Sequence, residues 1–123
     1  MRADAKTQAG VMAAIKTYVA AHKKRDLDAT MACFTQDPDM VNFGSGPDEK
    51  LVGVKALKKQ FLRDWSQSDA GDLKLKGARV SAAGKVAWVT GDASYVAKVK
   101  GKTLEMNGRL VLILEKRKGK WLI

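Results

Sequence analysis

The chain has 123 residues, 46% hydrophobic and 29% charged, with 23 basic and 13 acidic side chains and a net charge of +10. That length suits one domain with one core, and that composition excludes a disordered chain. No apolar run reaches the roughly 20 residues of a membrane helix, and Met1 to Gly10 lacks the apolar centre of a signal peptide.

Residues 5–25 are expected to form a first helix, because Val11, Ile15, Tyr18, Val19 and His22 fall on one stripe at helical spacing. Asp4 or Thr7 can cap its start, and Lys23, Lys24 and Arg25 suit the negative end of its dipole. Asp26 caps a short second helix with Leu27, Met31 and Phe34 on one side, which Asp37-Pro38 stops. Met40 to Phe43 reads as a short strand, and Gly44 to Pro47 as a turn. The Gly-x-Gly inside that turn lacks the spacing of a phosphate loop, and no cofactor motif is found. Gly53 opens a third helix with Val54, Leu57, Phe61, Leu62 and Trp65 as its stripe. Residues 66–72 form a polar loop.

The rest reads as sheet. Leu73 and Leu75 alternate with Lys74 and Lys76, and Val86 to Val99 is a long strand. Lys100-Gly101-Lys102 makes a tight hairpin, Thr103 to Lys116 is the longest strand, and Lys118-Gly119-Lys120 turns into Trp121-Leu122-Ile123. Three helices and a four-stranded meander make an α+β domain. Leu110, Leu112 and Leu114 point one way; Arg109, Val111, Ile113 and Glu115 point the other. Two apolar faces on one strand call for a second cover, and a homodimer is expected.

The basic residues are spread over every element, and no nucleic-acid-binding signature is present, so a solvated basic surface without a specific nucleic-acid partner is expected. The single cysteine, Cys33, excludes an internal disulfide and fits a cytoplasmic setting; it reads as a small buried hydrophobe. His22, the only histidine, makes a multi-histidine metal site impossible and reads as a surface or capping residue.

Tyr18-Val19-Ala20-Ala21, Asp26-Leu27-Asp28, Phe34, the strand to Phe43, Glu49, Gly53, Val86-Ala87-Trp88-Val89, Gly108-Arg109 and Gly119-Lys120-Trp121 follow in an order that resembles the NTF2-like superfamily, on its SnoaL-like and ketosteroid-isomerase-like side. The resemblance covers essentially the whole chain. It implies a cone, with three N-terminal helices packed on a strongly curved, mainly antiparallel sheet around a pocket, and homodimers through the convex sheet face. By that resemblance Tyr18 stands where a phenol stabilises the oxyanion, Asn42 where the general base belongs, and Arg109 near a second oxyanion donor. An amide cannot accept the proton at neutral pH, so steroid isomerisation is not expected; Glu49 or Glu105 could supply a base.

The expected pocket residues are Tyr18, Asn42, Glu49, Phe61, Trp65, Trp88 and Arg109, with Phe43 as a further aromatic wall. The expected ligand is a small, partly apolar molecule with a polar or anionic group near Arg109. Arg109 also reads as a structural ion pair with Glu49, Glu105 or Asp92. The alternatives are a non-catalytic homodimeric module whose pocket is filled by side chains, and binding of an acidic macromolecule. Relatives continue the last strand past the equivalent of Ile123, so either a shorter final strand or a truncated end is expected.

Overall fold

The computed structural model describes every residue from Met1 to Ile123. Helix α1 (Ala5–Lys24) starts at Asp4, whose carboxylate accepts the Thr7 N–H at 2.7 Å. Val11 and Ile15, one turn apart, are buried in a core with Val80, Ala87, Val89, Leu114 and Trp121. The helix ends at Arg25, in left-handed backbone with φ 57°, whose N–H closes on the carbonyls of Ala21 and His22. Asp26 then caps α2 (Leu27–Met31) by accepting the Ala29 N–H at 3.1 Å.

β1 (Val41–Phe43) and β2 (Lys50–Val52) form an antiparallel hairpin with Asn42 opposite Leu51. The sequence pattern anticipates β1 and its turn but not β2. Helix α3 (Val54–Ser66) buries Leu57, Phe61 and Trp65 at intervals of four. Leu62, expected in that stripe, is exposed. Met31, Cys33, Phe34, Leu57, Phe61 and Trp65 make a second core beside the first.

β3 (Ala70–Ala83), β4 (Val86–Val99), β5 (Lys102–Arg117) and β6 (Lys120–Leu122) form an antiparallel meander in chain order. The polar loop expected at 66–72 shrinks to 67–69, because Ala70 to Asp72 pair with Val96 to Lys98. The register of β3 on β4 shifts between Lys76 and Arg79, where Gly77 takes φ 61°; such a bulge bends a strand and raises its twist. The Lys100-Gly101 and Lys118-Gly119 turns have positive φ at both residues, the mirror-image turn that matches strand twist.

The fold is the NTF2-like cone expected from sequence, with helices over one face of the sheet. Ile123 ties the far end to the helices: its N–H donates to the Cys33 carbonyl at 2.9 Å and its carbonyl accepts the Thr35 N–H at 2.8 Å. Arg117 adds a clamp, donating through both terminal nitrogens to Asp37 and at 3.0 Å to Glu115. That guanidinium holds the Asp37 carboxyl below its ordinary range. On β5, Leu114 is buried and faces the helices, while Val111 and Ile113 face outward and are 63% and 65% exposed. No helix is long and apolar enough to cross a membrane.

Candidate functional site

A cavity of about 700 Å³ lies between the helices, the β1–β2 hairpin and β5. Its floor is Tyr18, Phe34, Leu57 and Phe61. One wall is the hairpin, from Met40 to Gly44 with Glu49 and Leu51. The opposite wall is β5 from Leu110 to Glu115. Inward Leu110, Leu112 and Leu114 and outward Val111 and Ile113 all border it. The cavity therefore opens around the unpaired edge of β5.

Three polar side chains, Glu49, Gln60 and Asp64, meet on one side, and Glu115 lies on the opposite wall. Gln60 and Asp64 are one helical turn apart on α3 and border the cavity, beside the buried stripe. Gln60 Nε2 donates to Asp64 Oδ1 at 2.8 Å and to Glu49 Oε1 at 3.3 Å. The second oxygen of Glu49 accepts the Gly46 N–H. Gly44 leaves room for this, since a Cβ there would sit 2.7 Å from Glu49 Cβ, and a Cβ on Gly46 would displace the Glu49 carboxylate, 2.6 Å from its Oε2. The turn is thus folded around the Glu49 carboxylate, which aims Gln60, which in turn fixes Asp64.

Burial pushes the Asp64 carboxyl above its ordinary value, against the Gln60 hydrogen bond that favours the charged form; the negative charge of Glu49 raises it further. Burial likewise holds the Tyr18 phenol well above its ordinary value, and the charge of Asp64 adds to this. Tyr18 therefore stays protonated and can only be a hydrogen-bond donor to an anionic oxygen. The site thus sets an acid whose pKa burial raises beside a phenol that stays protonated.

Behind the floor lies an aromatic cluster. Tyr18 meets Phe34 edge-on at 5.4 Å, and Phe61 stacks on Trp65 at 5.7 Å. His22 sits among them, 5.6 Å from Phe61 and from Trp65 and 6.1 Å from Tyr95. This corrects the expected surface role of His22. Its three cationic neighbours in sequence suggest solvent, but Tyr95 on β4 and Trp65 on α3 close over the ring. His22 Nδ1 and Trp65 Nε1 are buried without a hydrogen-bond partner. Burial first, and Arg25 second, lower the His22 pKa.

A group whose folded pKa is depressed stabilises the fold above its unfolded pKa and loses that contribution as pH falls through the folded value. Stability should therefore drop on acidification below about pH 6.5. His22→Phe, which charges nothing and leaves no orphaned nitrogen, should flatten that drop. Thermal unfolding at about pH 5 and about pH 8 checks this, the variant gaining more at the acid end.

Of the residues expected at the pocket, Tyr18, Asn42, Glu49 and Phe61 border the cavity, as does Phe43. Trp65, Trp88 and Arg109 do not. Trp65 packs behind Phe61 in the core. Trp88 pairs with Ile113 on the outer face, since its neighbours Ala87 and Val89 take the inner one. Arg109 stands opposite Asp92, 3.8 Å from its carboxylate, with 92% of its side chain exposed. It is the structural ion pair of the two sequence readings, and such an exposed pair contributes about 0–1 kcal/mol. Glu105 likewise lies outside the cavity, on the exposed half of β5, 3.3 Å from Ser94 Oγ. Gln60 and Asp64 were missed, although Leu57, Gln60 and Asp64 recur at helical spacing on α3.

Three helices closing a curved sheet over a cavity define an NTF2-like domain. Residues 11–123 match the model of the SnoaL-like domain family, and the chain belongs to it. Among solved structures, it is similar to an NTF2-like superfamily protein from Salmonella enterica serovar Typhimurium, with TM-score 0.86 and 17% identity over 98% of this chain and 87% of that one. A protein provisionally named an aromatic ring hydroxylase, from Novosphingobium aromaticivorans, gives TM-score 0.86 and 18% identity over 98% and 86%. A protein provisionally named a dehydratase of the NTF2-like family, from Streptomyces avermitilis, gives 0.83 and 14% over 93% and 88%. At these identities the likeness is one of fold. No curated protein sequence matches the chain significantly.

Proposed function

We propose that the cavity binds a small, largely apolar molecule carrying a neutral carbonyl or hydroxyl, and that Asp64 exchanges a proton with it. The observation that carries this reading is the fixed row Glu49–Gln60–Asp64 on the rim of an apolar cavity, with the Asp64 pKa raised by burial. Asp64 as carboxylate takes a proton from a carbon next to a carbonyl. Tyr18 donates a hydrogen bond to the oxygen on which charge develops. Return of that proton to a departing hydroxyl releases water, a dehydration, which is the chemistry in the name of one fold neighbour.

The anionic ligand expected from sequence rested on Arg109, which lies outside the cavity. The ionisable acids that do border it are Glu49, Asp64 and Glu115, which disfavour an anion. An open cavity favours this reading over a module whose pocket is filled by side chains. A thermal-shift screen tests it: small ketones and phenols should raise the melting temperature, matched carboxylates should not. A shift from carboxylates alone would sink the proposal.

A further inference from the structure

We propose that the end of the sheet formed by the β3–β4 and β5–β6 turns is a binding surface for the phosphate backbone of a nucleic-acid duplex, held without reading its sequence. Basic residues are scattered along the chain, but folding gathers six of them here: Arg2, Lys6, Lys85, Lys116, Lys118 and Lys120, all exposed. Each turn consists of one lysine and one glycine, Gly84-Lys85 and Lys118-Gly119. The two turns are knitted together, because the Lys116 N–H donates to the Lys85 carbonyl at 2.7 Å. They lie two strand spacings apart, about 10 Å.

The start of the chain adds to the same end. The Ala3 N–H donates to the Val80 carbonyl at 3.0 Å and Arg2 bridges to Ser81, on the strand that runs into the Gly84-Lys85 turn. The first half of α1 lies on β6: a Cβ on Gly10 would sit 3.1 Å from Trp121 Cδ1. Lys116 Nζ stands 5.9 Å from the centre of the same indole. Hydrogen bonding from Thr7 lowers the Asp4 pKa, and the charges of Lys6 and Lys116 lower it further, so both lysines stand near that carboxylate.

What the cluster lacks is counter-charge. None of the six lies within 4.0 Å of a carboxylate. The nearby acids are committed: Asp4 caps α1, and Arg117 holds Asp37 and Glu115. Duplex DNA carries one charge per about 1.7 Å of axis, so roughly six fall within the span between the two turns. Lysine binds phosphate as a point charge. The aromatic ring among these lysines, Trp121, is buried, so it offers no base a stacking face. The contact is therefore to phosphate, which agrees with the lack of a base-reading motif in the sequence. A bilayer fits less well, since stable attachment takes an apolar anchor beside a basic patch and the turn tips carry only lysine and glycine. None of the six borders the cavity, so the inference is independent of the ligand proposed above.

Fluorescence anisotropy of a labelled DNA duplex tests this. Affinity should fall about 10³-fold between about 50 and 200 mM salt, as six phosphate contacts require, and should be the same for two unrelated sequences. Lys85→Gln, Lys118→Asn and Lys120→Gln together should cut the log–log salt slope by about half. Asparagine suits Lys118 because that residue has φ 50°. Lys55→Gln, Lys58→Gln and Lys59→Gln together remove the same charge from α3 and should leave the slope unchanged. All the substituted side chains are exposed, so circular dichroism should be unchanged in both variants. Equal weakening by the two triple variants would overturn the proposal, since net charge alone would then account for binding. Absence of duplex binding at about 50 mM salt would overturn it as well. Tighter binding to phosphatidylserine vesicles than to the duplex would overturn it in favour of a membrane.

Discussion

Asp64→Asn is expected to slow proton exchange at a carbon next to a carbonyl by about 10²- to 10⁴-fold, the usual contribution of a positioned acid or base. Loss of deuterium from a bound ketone, followed by NMR, reads this directly. The same change should stabilise the fold at neutral pH. The folded pKa of Asp64 is raised, so its stabilising contribution is present below the unfolded pKa and is lost as pH rises through the folded one. Once ionised, the carboxylate carries its charge in a site that resists it. Asparagine keeps an oxygen for Gln60 and ionises nowhere, so the gain should vanish below about pH 3.9. Removing the negative charge should also lower the Tyr18 and Tyr95 pKa values, since Asp64 raises both, and ultraviolet titration follows the phenols. Lower activity with higher neutral-pH stability is the signature of a strained functional group. A destabilised variant would mean that Asp64 is merely structural.

The parts of this site that sequence reveals are those set by local pattern. Tyr18 and Phe61 recur on helical stripes, and Asn42 and Glu49 flank a Gly/Pro turn, so their neighbourhood follows from chain order in the family. What escapes is set by non-local pairing. Alternation along β5 correctly put Arg109 with Val111 and Ile113, but two apolar faces gave no sign of which one the helices cover. That depends on α1 packing Val11 and Ile15 against Leu114. Trp88 was misplaced for the same reason, because it shares its face with Ile113 across the β4–β5 ladder. Asp64 looks like an ordinary solvent-facing acid until the β1–β2 hairpin brings Glu49 to Gln60.

Arg25→Ala is expected to cost about 2–4 kcal/mol in folding stability, more than its position in a run of surface cations suggests. Its guanidinium leaves the end of α1 and donates to the Trp65 carbonyl at 2.5 Å, the Ser68 carbonyl at 2.8 Å and Ser68 Oγ at 2.8 Å. The Trp65 carbonyl belongs to the last turn of α3 and Ser68 to the loop that follows it, so one side chain fixes the end of the helix that carries Asp64. Arg25 also occupies left-handed backbone, where an L side chain costs about 1–2 kcal/mol relative to glycine. Two substitutions separate the effects. Alanine loses the hydrogen bonds and keeps the backbone strain; glycine loses the bonds and relieves the strain. Urea unfolding should rank the native chain first, glycine second by about 1 kcal/mol over alanine, and alanine last. In both variants the His22 pKa should rise, because Arg25 helps depress it, and the NMR titration of the only histidine reports this without overlap. If alanine were as stable as the native chain, the link from α1 to the end of α3 would carry no energy. The placement of Asp64 would then rest on Glu49 and Gln60 alone.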